Sequence, residues 1–190
     1  MADRSPTVHR LKVTVRDIRP PIWRRLVVTS DISLGDLHEH IQTAMGWFDY
    51  HLHEFEIGST RYGLDDGEGW GESPEDESAV TLTDAAPEGA SFTYTYDFGD
   101  NWRHQVTVEA VTPPDPDLAY PLCIGGRRAC PPEDCGGFPG YLELLEALAD
   151  PDHERHEELR TWVGGEYDPE QFDIDQTNAA FAVWRRATRS

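Results

Sequence analysis

Residues 92–108, FTYTYDFGDNWRHQVTV, decide the fold that this sequence predicts. Aromatic residues alternate with threonine in the first half of the stretch, and Trp102, His104, Val106 and Val108 alternate with polar residues in the second half. A period of two is typical of a strand with one buried face. The polar, glycine-containing GDN at 99–101 separates the halves, so the stretch predicts an antiparallel hairpin.

The N-terminal part of the chain predicts a second hairpin followed by a helix. Apolar and polar residues alternate over residues 11–15, a proline pair follows, and residues 22–29 form the next predicted strand. Ser33 and Asp36 have the spacing of a capping box, which marks the start of a helix. Two short strands are then predicted within residues 53–63. This ββαβ order is similar in outline to a β-grasp.

We therefore predict a single α+β domain over residues 1–190. Its mixed or antiparallel sheet roll has a β-grasp-like N-terminal half, a second aromatic hairpin, and C-terminal helices packed on it. The predicted parts are a hairpin–helix–strand half over 8–63, an acidic mobile loop over 64–90, the aromatic hairpin over 91–111, a proline- and cysteine-rich segment over 112–138, and a helical part over 139–187. Whether the acidic loop covers a cleft or stays in solvent is left open.

Charge disfavours one class of partner. The formal net charge is −20, with 36 acidic and 16 basic residues, which opposes non-specific binding to nucleic-acid phosphates. Residues 1–30 are the exception, with seven basic and two acidic residues, so Arg24 and Arg25 mark the one surface on which we place a phosphate backbone.

The N-terminal residues are polar and no apolar run reaches the length of a membrane span. We expect a cytoplasmic protein without a membrane partner.

The motif HLHEF at 51–55 offers two histidines. His51 and His53 share the parity of Phe55, which predicts that they face the core side of a strand. His104 shares the parity of Trp102 on the later hairpin. Three inward imidazoles are a usual set for zinc or another divalent metal. The alternative is aromatic packing, with each ring hydrogen-bonded to the backbone.

Carboxylates in the other two motifs are candidates for catalysis. Asp97 and Asp100 bracket the glycine of DFGDNWRH, where they can act as a general base, bind a cation or cap backbone N–H groups. Glu133 and Asp134 lie in CPPEDCGG at 130–137 and can supply further oxygens. His104 completes the set of candidate catalytic residues.

The three cysteines suggest an alternative metal site. Cys123, Cys130 and Cys135 are an odd number, so they do not form a disulfide framework. Three thiolates and one histidine satisfy tetrahedral zinc, but the spacing is not the paired CxxC of a zinc ribbon. The alternative is that they are small buried residues in a loop that packs on the sheet.

Six ordered motifs resemble the plasmid pRiA4b ORF-3-like family. They are RPPIWRRL (19–26), SLGDLHEHIQTAMGW (33–47), HLHEF (51–55), YDFGDNWRH (96–104), CPPEDCGGFPGY (130–141) and FDIDQTNAAF (172–181). The resemblance extends over about residues 11–184. It implies a single α+β domain from a family whose members occur on plasmids and beside mobile elements, and it implies no particular reaction.

Three functional hypotheses follow. The first is a non-enzymatic binding or accessory module for a protein, a peptide or a small ligand, with a cleft where the three motifs meet. Its candidate ligand-binding residues are Trp47, Tyr96, Trp102, Arg24 and Arg25. The second is a metal-dependent hydrolase that uses the His/Asp cluster. The third is a nucleic-acid accessory factor that binds through the basic hairpin. The sequence lacks the P-loop, dinucleotide, serine-hydrolase and zincin motifs, so those enzyme classes have no support.

Overall fold

The computed structural model describes residues 5–64 and 73–188. Its strands are β1 (Val8–Val15), β2 (Trp23–Thr29), β3 (His53–Ile57), β4 (Thr60–Gly63), β5 (Glu75–Asp76), β6 (Ser91–Tyr96), β7 (Trp102–Thr112) and β8 (Leu122–Arg127). Its helices are α1 (Leu34–Met45), α2 (Leu82–Ala85), α3 (Gly137–Ala149), α4 (His156–Trp162) and α5 (Ile174–Ala187). The strands form one sheet in the order β5-β4-β3-β6-β7-β1-β2-β8, in which only the β4–β5 pair is parallel. The α+β class with a mostly antiparallel sheet is confirmed.

The aromatic hairpin lies in the middle of this sheet. Strands β6 and β7 are antiparallel, with Tyr94 opposite His104 and Tyr96 opposite Trp102. All four side chains are buried, as their alternation predicted. The turn between the strands needs a left-handed residue at Asp97, where φ is 54°. Aspartate accepts this conformation because its short polar side chain can hydrogen-bond to the local backbone.

Helix α1 begins at the capping box that the sequence predicted. The Ser33 side chain accepts a hydrogen bond from the Asp36 backbone N–H, and the Asp36 carboxylate accepts one from the Ser33 N–H. The helix ends at Gly46, which has a φ of 83°. The face that α1 buries carries apolar residues such as Leu37 and Ile41, and it also carries His38. This face therefore contributes a polar side chain to the core as well as hydrophobic packing.

Helix α5 covers the β8 edge of the sheet. The Asn178 side chain on α5 accepts a hydrogen bond from the Cys123 N–H and donates one to the Cys123 carbonyl. Both backbone groups of this edge residue are thereby satisfied, which blocks them from pairing with another strand.

In the sheet, β6 and β7 lie between β3 and the opening hairpin formed by β1 and β2. The expected acidic loop over 64–90 contains β5, α2 and a short 3₁₀ turn, Glu77–Ala79. Glu77 and Leu82 are buried, so residues 73–90 pack against the domain; residues 65–72 of the expected loop lie outside the described residues. Among the described residues, no helix is both long and apolar enough to cross a bilayer.

Candidate functional site

The sheet order brings the three sequence motifs to one place. Strand β3 pairs with β6, with His53 opposite Tyr96, so HLHEF lies beside the first residues of DFGDNWRH. The turn after β6 then meets the loop that carries CPPEDCGG, because the Asp100 carboxylate accepts a hydrogen bond from the Gly136 N–H at 3.2 Å. Each motif contributes one side chain to a group formed by His51, Asp97 and Asp134, which we call the outer group.

The ligand atoms of the outer group all lie within 4.8 Å of one another. His51 Nε2 lies 3.0 Å from Asp134 Oδ1 and 3.6 Å from Asp97 Oδ2. Two ligands of one ion, each about 2.1 Å from it, are about 3.0 Å apart in octahedral geometry and about 3.4 Å apart in tetrahedral geometry. His51 Nε2 is shielded from solvent and makes no aligned hydrogen bond to either carboxylate. These separations match those of ligands around a divalent cation.

The backbone holds Asp97 in this position. Its Oδ1 accepts hydrogen bonds from the N–H groups of Gly99, at 2.9 Å, and Asp100, at 3.2 Å, which leaves Oδ2 directed at His51. The second carboxylate, Asp134, also has a left-handed backbone, with a φ of 59°. Asp97 is buried and Asp134 is exposed, so the outer group opens to solvent on one side.

A second group lies beside the first. We call it the inner group, and it comprises His38, Asp49, His53 and Glu77. The imidazoles of His38 and His53 stack in parallel, with ring centroids 3.4 Å apart and an interplanar angle of 3°. Asp49 Oδ1 lies 2.8 Å from His38 Nε2, and Glu77 Oε2 lies 2.8 Å from His53 Nε2. Burial lowers the pKa of His38 to about 3, with a further contribution from the neighbouring His53, so His38 is neutral at physiological pH.

The inner group and one member of the outer group line a cleft of about 430 Å³. Its lining includes His51 of the outer group and all four members of the inner group. The two groups share the segment 49–53, which supplies Asp49, His51 and His53. Sequence reasoning placed His51 and His53 on one metal ion, whereas the structure distributes them between two neighbouring groups.

His104 joins neither group. Its side chain is fully buried, and its ring packs edge-on against Trp47, with centroids 5.3 Å apart. Nδ1 lies 3.3 Å from the Tyr94 carbonyl oxygen, and Nε2 has no hydrogen-bond partner within the described residues. Burial lowers its pKa to about 4. Trp47 and Trp102 are buried beside it, so these candidate ligand-binding residues form part of the core behind the site.

The remaining carboxylate candidates connect the motifs to one another. Tyr96 Oη donates a hydrogen bond to Glu133 Oε1, and Glu133 Oε2 accepts one from the Phe48 N–H at 2.9 Å. Burial and the Glu133 carboxylate raise the pKa of Tyr96. The Asp100 carboxylate accepts a hydrogen bond from the Gly136 N–H. Glu133 and Asp100 therefore position the loop that carries Asp134.

The three cysteines do not form one ligand set. Within the described residues, the groups able to hold a metal ion contain no cysteine. Cys130 is buried, with its Sγ atom 3.1 Å from the sulfur of Met45, and Cys123 lies at the β8 edge. Burial, together with nearby Asp100 and Asp134, raises the pKa of Cys135 to about 12. These thiols are protonated at neutral pH and pack against their surroundings.

The two arginines of the opening hairpin have partners within the protein. Arg24 is buried; its Nε donates to the Ala44 carbonyl at 2.9 Å, and its guanidinium lies over the Phe172 ring. Arg25 makes a two-pronged ion pair with Glu109, at 2.7 and 2.9 Å. Arg24 is therefore enclosed within the protein, whereas Arg25 is partly exposed and has its charge paired with Glu109.

Sequence reasoning missed His38, Asp49 and Glu77. A signal existed for His38, because it follows Leu34 by four residues and precedes Ile41 by three, which places it on the buried face of the helix. Glu77 had no such signal, since it lay among many acidic residues of the predicted loop.

The fold and the two groups define the class of this protein: an α+β protein with adjacent His/carboxylate clusters at the end of a central aromatic hairpin. The chain belongs to the plasmid pRiA4b ORF-3-like family, whose model matches residues 7–176.

The chain is 44% identical over 190 residues to the uncharacterized protein y4hQ of Sinorhizobium fredii (strain NBRC 101917 / NGR234), and the match covers 96% of this chain and 97% of that one. It is also similar to the crystal structure of MM3350, a protein of unknown function from Methanosarcina mazei Go1. That match has a TM-score of 0.83 and 39% identity, and it covers 90% of this chain and 98% of the other. Neither relative's name includes an activity, so the function must be argued from the geometry.

Proposed function

We propose that this protein is a binding module that holds a divalent cation at the outer group and uses that ion to bind its ligand. One observation carries the proposal: His51 Nε2 is shielded from solvent, lies 3.0 and 3.6 Å from two carboxylate oxygens, and is aligned with neither for hydrogen bonding. A hydrogen bond needs its donor directed at the acceptor, whereas metal ligands direct their lone pairs at a shared point.

The ligand types indicate which ions fit. One imidazole nitrogen and two carboxylate oxygens suit first-row ions such as zinc or manganese better than magnesium, which favours an all-oxygen shell with several waters. Three protein ligands leave at least one coordination position for another molecule. Asp134 is exposed and His51 lines the cleft, so a ligand with a carboxylate or phosphate oxygen can approach the ion from that side.

The test measures metal binding. The protein is purified without a His-tag, and a chelator then removes any bound metal. We expect zinc or manganese to bind the wild type, and Asp97→Asn to weaken binding at the outer group by at least about tenfold. Asparagine keeps the Oδ1 acceptor for the turn and tolerates the left-handed backbone, so the fold is retained. His51→Ala should have the same effect.

Asp100→Asn is the matched control. Asp100 lies in the same turn and bonds to the same loop, but it is not a member of the outer group. The asparagine oxygen can still accept the hydrogen bond from the Gly136 N–H, so the loop keeps its position and this variant should bind metal like the wild type. Equal affinity in the wild type and in both Asp97→Asn and His51→Ala would overturn the proposal.

Metal-dependent hydrolysis is the second candidate, and the coordination position left by three protein ligands favours it. In this role a divalent ion lowers the pKa of a bound water and so supplies a nucleophile at neutral pH. Metal-loaded wild type would then hydrolyse small activated phosphate or carboxylate esters, and Asp97→Asn would not. Metal binding without ester hydrolysis would leave the binding module as the function.

A further inference from the structure

We propose that the inner group is a second divalent-cation site, which binds zinc independently of the outer group. The residues converge from separate parts of the chain: His38 from α1, Asp49 from the following loop, His53 from β3 and Glu77 from the 3₁₀ turn. One ligand atom from each of His38, Asp49 and His53 lies within 4.8 Å of the others. His38 Nε2 is hydrogen-bonded to Asp49 and His53 Nε2 to Glu77, each at 2.8 Å, so an ion at this position would replace the proton that each pair shares. Ligands of a tetrahedral zinc ion are about 3.4 Å apart, so the pairs would have to widen by a few tenths of an ångström through side-chain rotation.

Charge favours a cation at this position. Glu77 is only 4% exposed, yet no lysine or arginine of the described residues forms an ion pair with it, and its partner is the imidazole of His53. A second carboxylate, Asp49, lies on the other imidazole. Burying a carboxylate costs free energy unless a positive charge accompanies it. A divalent ion between the two imidazoles and the two carboxylates supplies that charge.

Residues around the inner group hold its side chains in position through hydrogen bonds. The Gln42 Nε2 atom donates to Tyr94 Oη at 2.9 Å, and Tyr94 Oη is 2.8 Å from His38 Nδ1. The carbonyl oxygen of the same Gln42 side chain accepts a hydrogen bond from the Asp49 N–H at 3.2 Å. One glutamine therefore orients two of the proposed ligands. Metal-bound histidines almost always have such a partner on their second nitrogen.

The composition of the group selects the ion. His38, Asp49 and His53 offer two imidazole nitrogens and one carboxylate oxygen, and Glu77 adds a carboxylate beside His53, a mixed nitrogen and oxygen set that suits zinc. The outer group has three ligands and an exposed side, whereas His38, His53 and Glu77 are all buried. We therefore expect the inner ion to stabilise the fold and the outer ion to exchange with ligands.

The test uses cobalt(II), which replaces zinc and gives strong visible absorption in tetrahedral sites, together with elemental analysis. We expect about two equivalents in the wild type and about one in Glu77→Gln and Asp49→Asn, with loss of the tetrahedral absorption in both variants. Glutamine can still accept a hydrogen bond from His53, and Asp49 is half-exposed, so Asp49→Asn in particular leaves the fold unchanged. Glu39→Gln is the matched control, because Glu39 lines the same cleft but bonds to Trp184.

The variants separate this inference from the proposed function. Asp97→Asn should keep the tetrahedral cobalt absorption of the inner group while losing the outer equivalent. If Asp97→Asn changes nothing but Glu77→Gln removes the absorption, the inner site stands and the outer one does not. Equal metal content and equal absorption in the wild type, Glu77→Gln and Asp49→Asn would overturn the inner site.

Discussion

Tyr96 and Glu133 are hydrogen-bonded across the site, with Tyr96 Oη as the donor and Glu133 Oε1 as the acceptor. The same Tyr96 oxygen accepts a hydrogen bond from the Tyr50 N–H at 3.0 Å. The other Glu133 oxygen accepts one from the Phe48 N–H. One tyrosine and one glutamate thus join the central strand β6, the segment before β3 and the loop that carries Asp134. The geometry of the outer group depends on this connection.

Tyr96→Phe should therefore weaken metal binding without removing a ligand. Loss of the hydroxyl frees Glu133 and, with it, the loop that positions Asp134, so we expect affinity at the outer group to fall by about tenfold or more. Isothermal titration with manganese measures this. Tyr120→Phe is the control, because its hydroxyl accepts a hydrogen bond from the Asp115 N–H near the opposite edge of the sheet. Unchanged affinity in Tyr96→Phe would show that the loop is held by other contacts.

Acid should destabilise the fold through His104. Burial lowers its pKa to about 4 from an ordinary value of 6.5. Between these two pH values the unfolded chain takes up a proton that the folded protein does not, so stability is fully present above pH 6.5 and falls as the pH approaches 4. A shift of this size corresponds to about 3 kcal/mol.

His104→Phe should reduce the pH dependence of the free energy of unfolding between pH about 7 and about 5, as measured by urea denaturation. A slope remains because the pKa of His38 is also lowered. Val106→Ala, on the same face of β7, is the control: it should lower stability at every pH and keep the wild-type slope. If His104→Phe keeps that slope as well, His104 takes up its proton as readily in the folded protein as in the unfolded chain.

Gly140→Ala should distort the loop that carries Asp134. A Cβ atom at this position would lie 1.9 Å from the Cys135 carbonyl oxygen, a backbone atom that cannot move by side-chain rotation. We expect a loss of about 3 kcal/mol and weaker metal binding at the outer group. Gly125→Ala is the control, since its added Cβ atom would be 3.5 Å from the Trp23 ring, an ordinary contact. Thermal unfolding of both variants measures the difference, and equal melting temperatures would contradict the prediction.

Arg24→Lys should destabilise the protein far more than Arg25→Lys. The buried Arg24 guanidinium donates to the carbonyls of Ala44, Trp23 and Arg127, and a lysine ammonium cannot reproduce that planar arrangement. We expect a loss of about 3 kcal/mol for Arg24→Lys. Arg25→Lys, in a partly exposed pair with Glu109, should cost less than about 1 kcal/mol. Similar urea midpoints for the two variants would show that the buried contacts contribute little.

The sequence was sufficient for the local elements. The alternation in residues 92–108 predicted β6 and β7, and the Ser33–Asp36 pair predicted the start of α1, because both depend on neighbours within a few residues. The family was predicted from the order of six motifs and is confirmed. The three motifs that the sequence singled out also supply the members of the outer group.

The sequence alone did not determine how those residues are grouped. His51 and His53 are two positions apart, yet one faces Asp97 and Asp134 while the other pairs with Glu77 and stacks on His38. Strand order and loop packing decide this, and both depend on contacts between residues far apart in the chain. The same is true of Glu77, whose burial a local pattern does not encode. Arg24 differs, because it shares the parity of the buried Leu26 and Val28 on β2, although only the tertiary structure shows the carbonyls that it contacts. The sequence by itself determined which residues are available for chemistry, and the tertiary structure determined which of them lie together, because only long-range packing fixes the distances between their atoms.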